Sequence, residues 1–189
     1  MRFALKIIVL VLAMTNSPML NAQVMRDSDP EYKALQERMC AETACQRNLR
    51  VTLKQKDGTL YDRTYEAFNT IVQDFGITVV AGQTVYVEAD IENGRLVNLK
   101  SVDKIVSPDK TLTAKFEQSE DGGMLLTVSN PFDQTIKFDM GIAPLDKEEL
   151  YRTSSCPINK TVFEMWPEPI FLVVLGNGRV AGSEETACK

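Results

Sequence analysis

The sequence predicts an all-β protein, a two-sheet β-sandwich of about seven or eight strands preceded by a short N-terminal helix. Three observations carry that expectation. Apolar and polar residues alternate in several runs from Leu49 onward, which turns one face of each strand toward a core. Turn-forming pairs, Asp57-Gly58 and Asn93-Gly94, stand between such runs, and Asn-Gly in that setting is a strong short-range hairpin signature. The four cysteines, an even number, follow a start that reads as an export segment, the combination found in disulfide-bonded proteins of oxidising compartments.

Residues 1–22 read as a secretory signal. Arg2 and Lys6 flank the start, Ile7 to Met14 is an unbroken apolar run, and Leu20-Asn21-Ala22 ends on a small residue suited to cleavage. That run is too short to span a bilayer, and the later apolar run, Ile170 to Leu175, is shorter still and is followed by Gly176-Asn177-Gly178, read as a hairpin turn. The first cysteine, Cys40, is too far from the apolar run to take a lipid. A soluble periplasmic or secreted protein without a transmembrane anchor is expected.

Residues 23–46 form the expected N-terminal helical segment. Asp29 suits an N-cap, and Pro30 suits the first helical position, where its missing N–H costs nothing. Tyr32, Leu35 and Met39 fall on one face, so the helix is expected to lie against the domain.

Residues 47–189 form the expected sandwich domain. Leu49, Val51 and Leu53 alternate with Arg50, Thr52 and Lys54, and Asp57-Gly58 turns into a second strand. Val85, Val87, Ala89 and Ile91 alternate with Thr84, Tyr86, Glu88 and Asp90, and Asn93-Gly94 returns the chain through Val97 and Leu99. Leu112, Ala114 and Phe116 lead through a turn at Ser119 to Gly123 into Met124 to Val128, and Ile136, Phe138 and Met140 follow in the same manner. Ile170 to Leu175 is apolar at both parities, which predicts a strand covered on both faces, central or beneath the helix. The stretch Thr127-Val128-Ser129-Asn130-Pro131-Phe132, followed by Thr135 to Asp139, resembles adjoining strands of bacterial immunoglobulin-like modules. That resemblance implies an immunoglobulin-like β-sandwich.

Two disulfides are expected, and Cys40–Cys45 with Cys156–Cys188 is the favoured pairing of the three connectivities. Without Arg2 and Lys6 the 21 basic residues fall to 19 against 26 acidic, a net charge near −7. No basic cluster forms, so nucleic acid is not an expected partner, because phosphate binding needs concentrated positive charge.

The chain has no histidine. This removes the Ser-His-Asp and Cys-His nucleophile systems, imidazole metal sites and a histidine pH switch. Ser-x-x-Lys occurs at Ser101–Lys104 and Ser107–Lys110, but acyl-enzymes carry that spacing on a helix, and here it falls at a strand end and in a turn. The acidic groupings Asp27/Asp29/Glu31, Glu117/Glu120/Asp121 and Asp146/Glu148/Glu149 lack the spacing of a calcium loop. No catalytic residue, metal site or cofactor is assigned. Asn159-Lys160-Thr161 is a glycosylation sequon.

Trp166, the only tryptophan, precedes Pro167-Glu168-Pro169, so this piece reads as an edge or an extended loop. With Phe163 and Met165, an exposed Trp166 would anchor a partner; buried, it would plug one end of the sandwich. The function expected from the sequence is a non-catalytic exported domain that recognises another protein or a cell-envelope component. The alternatives are a carboxylate-dependent hydrolase of envelope or extracellular glycans, and a structural or assembly subunit of an envelope complex.

Overall fold

The structure, a computed structural model, describes residues 45–147, 149–185, 187 and 188, together with Ala34, Glu37, Arg38, Cys40 and Ala41. The signal segment, the Asp29-Pro30 helix start and the apolar positions Tyr32, Leu35 and Met39 lie outside the described residues.

The described chain is all-β. Its strands are β1 (Gln46–Lys54), β2 (Leu60–Phe68), β3 (Val72–Gln73), β4 (Gly76–Val80), β5 (Thr84–Glu92), β6 (Arg95–Val102), β7 (Thr111–Gln118), β8 (Met124–Ser129), β9 (Ile136–Pro144), β10 (Tyr151–Thr153), β11 (Thr161–Trp166) and β12 (Ile170–Val180). Strands β3, β4, β12, β9 and β10 pair in that order, as do β6, β5, β7, β8 and β11. The two groups join where Arg179 of β12 pairs with Arg95 of β6. Their inner faces meet: Ile77, Phe138 and Leu175 from one pack on Val85, Leu112 and Val128 from the other, around only about 10 Å³ of free space. A gap that small excludes water, so the contact is close-packed in a sandwich-like arrangement.

Alternation is obeyed in β5, whereas in β6 the buried residue is Leu96 and not the expected Val97 or Leu99. Val85, Val87 and Ala89 are buried while Thr84 and Asp90 are exposed. The β5–β6 hairpin turns through Asn93 at φ 51° and Gly94 at φ 74°, the positive values that a two-residue turn matched to strand twist requires. β12 is covered on both faces as its composition predicts: Val173, Val174 and Leu175 are all buried, with β9 on one side and β4 on the other.

The sequence under-counts the strands, because twelve are present among the described residues where about seven or eight are expected. β4 is buried along its whole length and so shows no alternation. β3 and β10 have only two and three residues.

The expected hairpin turn at Gly176-Asn177-Gly178 is not there. The chain runs straight through it as part of β12, with a register shift against β9 between Gly176 and Arg179 and Asn177 at φ 49°. It is a β-bulge, a device that bends and twists a strand, and it carries β12 from its partner β4 to its partner β6. Glycine is needed here for room. A Cβ on Gly178 would come within 2.8 Å of the Phe138 ring, and one on Gly76 of β4 within 2.2 Å of the Leu175 carbonyl oxygen. The Asn177 side chain donates to Asp139 Oδ2 at 3.0 Å, and Arg179 donates to Asp139 Oδ1 at 3.1 Å. The Asn177 amide, with the Arg179 charge after it, holds the Asp139 carboxyl below its ordinary range.

The β1–β2 hairpin forms a sheet of its own. It is bound to the sandwich by Val51 and Leu53, which belong to the common core. The Gln118 side chain also brackets Lys54, accepting from its N–H at 2.7 Å and donating to its carbonyl at 2.9 Å. Tyr65 and Phe68 of β2 pack their rings on Phe171 with centroids 5.6 and 5.8 Å away.

Gly76→Ala is expected to cost at least about 3 kcal/mol of unfolding free energy, because the intruding Cβ meets backbone that cannot yield; a urea midpoint equal to wild type would contradict the packing described. Asp139 gives a signed pH dependence. A depressed carboxyl pKa adds stability above the ordinary value of 3.8 and loses it as pH falls through the folded value. Asp139→Asn is therefore expected to flatten the loss of stability below pH 3.8, measured by denaturation across pH.

Candidate functional site

Thr161–Trp166 reads Thr-Val-Phe-Glu-Met-Trp, rich in β-branched and aromatic residues that favour a pleated, half-buried surface. It pairs antiparallel with β8 through Val162↔Val128, Glu164↔Leu126 and Trp166↔Met124, and it is the last strand of its group. The strand ends at Pro167, which has no N–H to offer a ladder.

The three residues singled out by sequence divide between the two faces of this strand. Trp166 is half-buried, with its ring edge-on to Phe116 at 6.1 Å and 89°. Phe163 and Met165, at the other parity, are 64% and 77% exposed. An exposed cluster of all three does not exist, because residues one and three apart on a strand face opposite ways. Trp166 packs against the core, and Phe163 and Met165 form a surface pair. Register continues that surface inward: Phe163 lies opposite Thr127 and Met165 opposite Leu125, followed by Lys115 and Glu117, which pair with each other at 2.8 Å.

The backbone of the strand divides in the same way. Asn130 N–H donates to the Lys160 carbonyl at 2.7 Å. In an antiparallel ladder this makes every second residue from there, Val162, Glu164 and Trp166, the set that exchanges bonds with β8. The neighbouring ladder agrees: Ser119 N–H donates to Gly123 O at 2.8 Å, which directs the Leu125 and Thr127 groups toward β7 and away from β11. The N–H and C=O groups of Thr161, Phe163 and Met165 consequently point out of the sheet. No described strand lies beyond them. Edges are commonly guarded by an outward lysine, a proline, a bulge or an inward-pointing charge; β11 has no outward lysine and no bulge, and it stops at Pro167. Its one charge, Glu164, turns inward and accepts from Cys156 N–H at 3.0 Å, which ties the edge to the β10–β11 connection beside the Cys156–Cys188 disulfide. Cys40–Cys45 is the second disulfide, so the favoured pairing is the one present.

A concavity of about 480 Å³ opens at the end of the sandwich, just past the strand. Lys54, Lys56, Asp57 and Asp121 line it with Pro167 and Pro169. Trp166 does not line it. Lys56 is spent on Glu168 at 3.0 Å. Asp57 and Asp121 are held below their ordinary range by the hydroxyls of Thr59 and Ser119.

Ser107–Lys110 is a turn closed by Lys110 N–H on the Ser107 carbonyl at 3.2 Å. Asn159 of the sequon is exposed. Among the described residues no group of three acidic or cysteine side chains is placed to hold a metal ion, and no helix is long and apolar enough to cross a membrane. Asp27, Asp29, Glu31 and Glu148 lie outside the described residues.

No family model matches the chain, and neither the curated proteins nor the solved structures searched contain a match to it. The site rests on its own geometry. The sequence located this segment through its prolines and tryptophan; it missed Thr161, because Thr-Val-Phe-Glu-Met-Trp has no regular polar-apolar alternation, and only the burial of the folded strand alternates.

The division of faces has a direct test. Trp166→Ala is expected to destabilise by about 2–4 kcal/mol, whereas Phe163→Ala and Met165→Ala are expected to stay within about 0.5 kcal/mol of wild type. Equal losses at all three positions in chemical denaturation would contradict the placement.

Proposed function

We propose that this protein is a non-catalytic, exported, immunoglobulin-like β-sandwich that recognises another protein or a cell-envelope component by strand addition to β11. The observation that carries this reading is the coincidence on Phe163 and Met165 of outward backbone groups and exposed apolar side chains. Strand addition uses both: main-chain bonds supply affinity, and side chains at alternate positions supply specificity. An assembly subunit of an envelope complex would engage its neighbours in the same way, so that role falls within the proposal. Two disulfides and an export-like start support a periplasmic or secreted location.

The glycan-hydrolase alternative finds less support. It needs a carboxylic acid held above its ordinary range as proton donor. Asp57, Asp62, Asp121, Asp139 and Glu185 are all held below theirs, each first by a side-chain hydrogen bond, from Thr59, Arg50, Ser119, Asn177 and Arg179 in turn.

A photo-reactive phenylalanine at position 163 tests the proposal in the native compartment. Cross-linking to a polypeptide or envelope component is expected from position 163 and not from Val106, a comparably exposed apolar residue in the β6–β7 connection. Capture from both positions alike, or from neither, would refute a site at β11.

A further inference from the structure

We infer that Arg95, Arg179 and Lys137 form a binding row for an acidic peptide, that the C-terminal strap after β12 occupies this row, and that opening the Cys156–Cys188 disulfide clears it. The row lies on the outer face of β6, β12 and β9 and is independent of β11.

The row is a consequence of register. Arg179 of β12 pairs with Arg95 of β6 on one side and with Lys137 of β9 on the other, and residues opposite one another in a ladder share a face. A Cβ on the preceding residue, Gly178, would meet Phe138 and Leu96 in the core. The parity that turns those three positions inward therefore turns Arg179, Lys137 and Arg95 outward. Three strands distant in sequence each supply one cation, which is why no basic cluster shows along the chain. Asp139 accepts from Arg179 Nη1 at 3.1 Å. This fixes the guanidinium and leaves its Nη2 for a ligand.

The strap binds there as an acidic peptide would. Glu185 N–H donates to the Gly182 carbonyl at 2.9 Å, which folds the chain back. The Glu185 carboxylate then accepts from Arg179 Nη2 at 2.6 Å and from Gly182 N–H at 3.1 Å. Two residues on, the Ala187 carbonyl accepts from the Lys137 ammonium at 3.3 Å, and Lys137 is only 5% exposed. Hydrogen bonds from Arg179 and Gly182, and then the Arg179 and Lys137 charges, hold the Glu185 carboxyl below its ordinary range. A carboxylate and a main-chain carbonyl two residues apart thus satisfy cations on adjacent strands, and any acidic peptide can offer both groups.

Little else holds the strap. Gly182, Ser183, Glu184, Ala187 and Cys188 are exposed, and none of its described residues, 181–185, 187 and 188, belongs to the core. Ordering such a segment costs more than one part-exposed ion pair and a few hydrogen bonds return, so the disulfide from Cys188 to Cys156 is what keeps it in place. Cys188 is exposed to a dithiol reductant. One thiolate of the dithiol attacks Cys188 Sγ and Cys156 leaves as a thiolate; the second thiol then displaces Cys188. The protein gains two electrons and two protons, and the dithiol becomes a disulfide.

Lysine labelling and peptide binding on the full chain test this. Combining Cys156→Ser with Cys188→Ser opens the latch and leaves Cys40–Cys45 closed. In oxidised wild type, acetylation of Lys137 by acetic anhydride, read by peptide mass spectrometry, is expected to be at least about 10-fold slower than that of the exposed Lys104. In the double variant, and in wild type treated with a dithiol, the two rates are expected to come within about 3-fold of each other. Hexaglutamate is expected to bind the double variant at least about 10-fold more tightly than it binds oxidised wild type, and adding Arg179→Gln or Arg95→Gln to the double variant is expected to cancel that gain. Lys137 still protected in the open chain, loss of the β-sheet circular dichroism on opening, or equal hexaglutamate binding by the two forms overturns the inference.

Discussion

Everything in this fold depends on β12 satisfying its backbone on both sides at once. It lies between β9 and β4 for half its length and then, past the bulge at Asn177, reaches β6. Without that strand the two groups of strands have no ladder between them, and β3 and β4 have no link to β9. The composition follows from the position. A strand with neighbours on both edges and cover on both faces has no solvent side, so Ile170 to Leu175 carries no polar residue. The bend also leaves no volume for side chains, hence glycine at 76 and 178.

The local rules of strand formation were legible in proportion to how many sides of a strand meet water. β5, β7 and β8 each have one wet face, and their alternation shows both their existence and the face they bury; β6 departs from it, since Leu96 is the buried residue where Val97 and Leu99 were expected inward, the strand being irregular about Asn98 at φ 54°. β4 has none, and its Gly-Ile-Thr-Val-Val gives no period to read. The Gly-Asn-Gly of β12 was misread for a related reason. Two glycines about an asparagine satisfy the chemistry of a turn and of a bulge alike, since both need positive φ and small side chains. Only the presence of β6 beyond β4 decides between them, and that is a long-range fact. The disulfides were easier, because four cysteines with one close pair leave few choices.

The candidate site was half legible. Prolines after Trp166 marked an edge, and the edge is real. What sequence did not supply was parity. Grouping Phe163, Met165 and Trp166 by nearness along the chain mixes a core residue with two surface ones. The same parity that sends Trp166 onto Phe116 turns the N–H and C=O of Phe163 and Met165 outward, so the side chains and main chain of the site share one cause. Glu164 then anchors the middle of the strand to Cys156, which fixes the edge without covering it.

The place of β12 in chain order shapes how the molecule must be made. It is the last of the described strands, yet it belongs between two that precede it, β4 and β9. Hairpins such as β5–β6 and β7–β8 close over a few residues and can form early, but one whole sheet waits for the final strand. Contacts of that separation carry a large loop-closure cost and slow the search. Until β12 inserts, β4 and β9 expose apolar edges to any neighbouring chain, which makes assembly of this sandwich a race between insertion and aggregation.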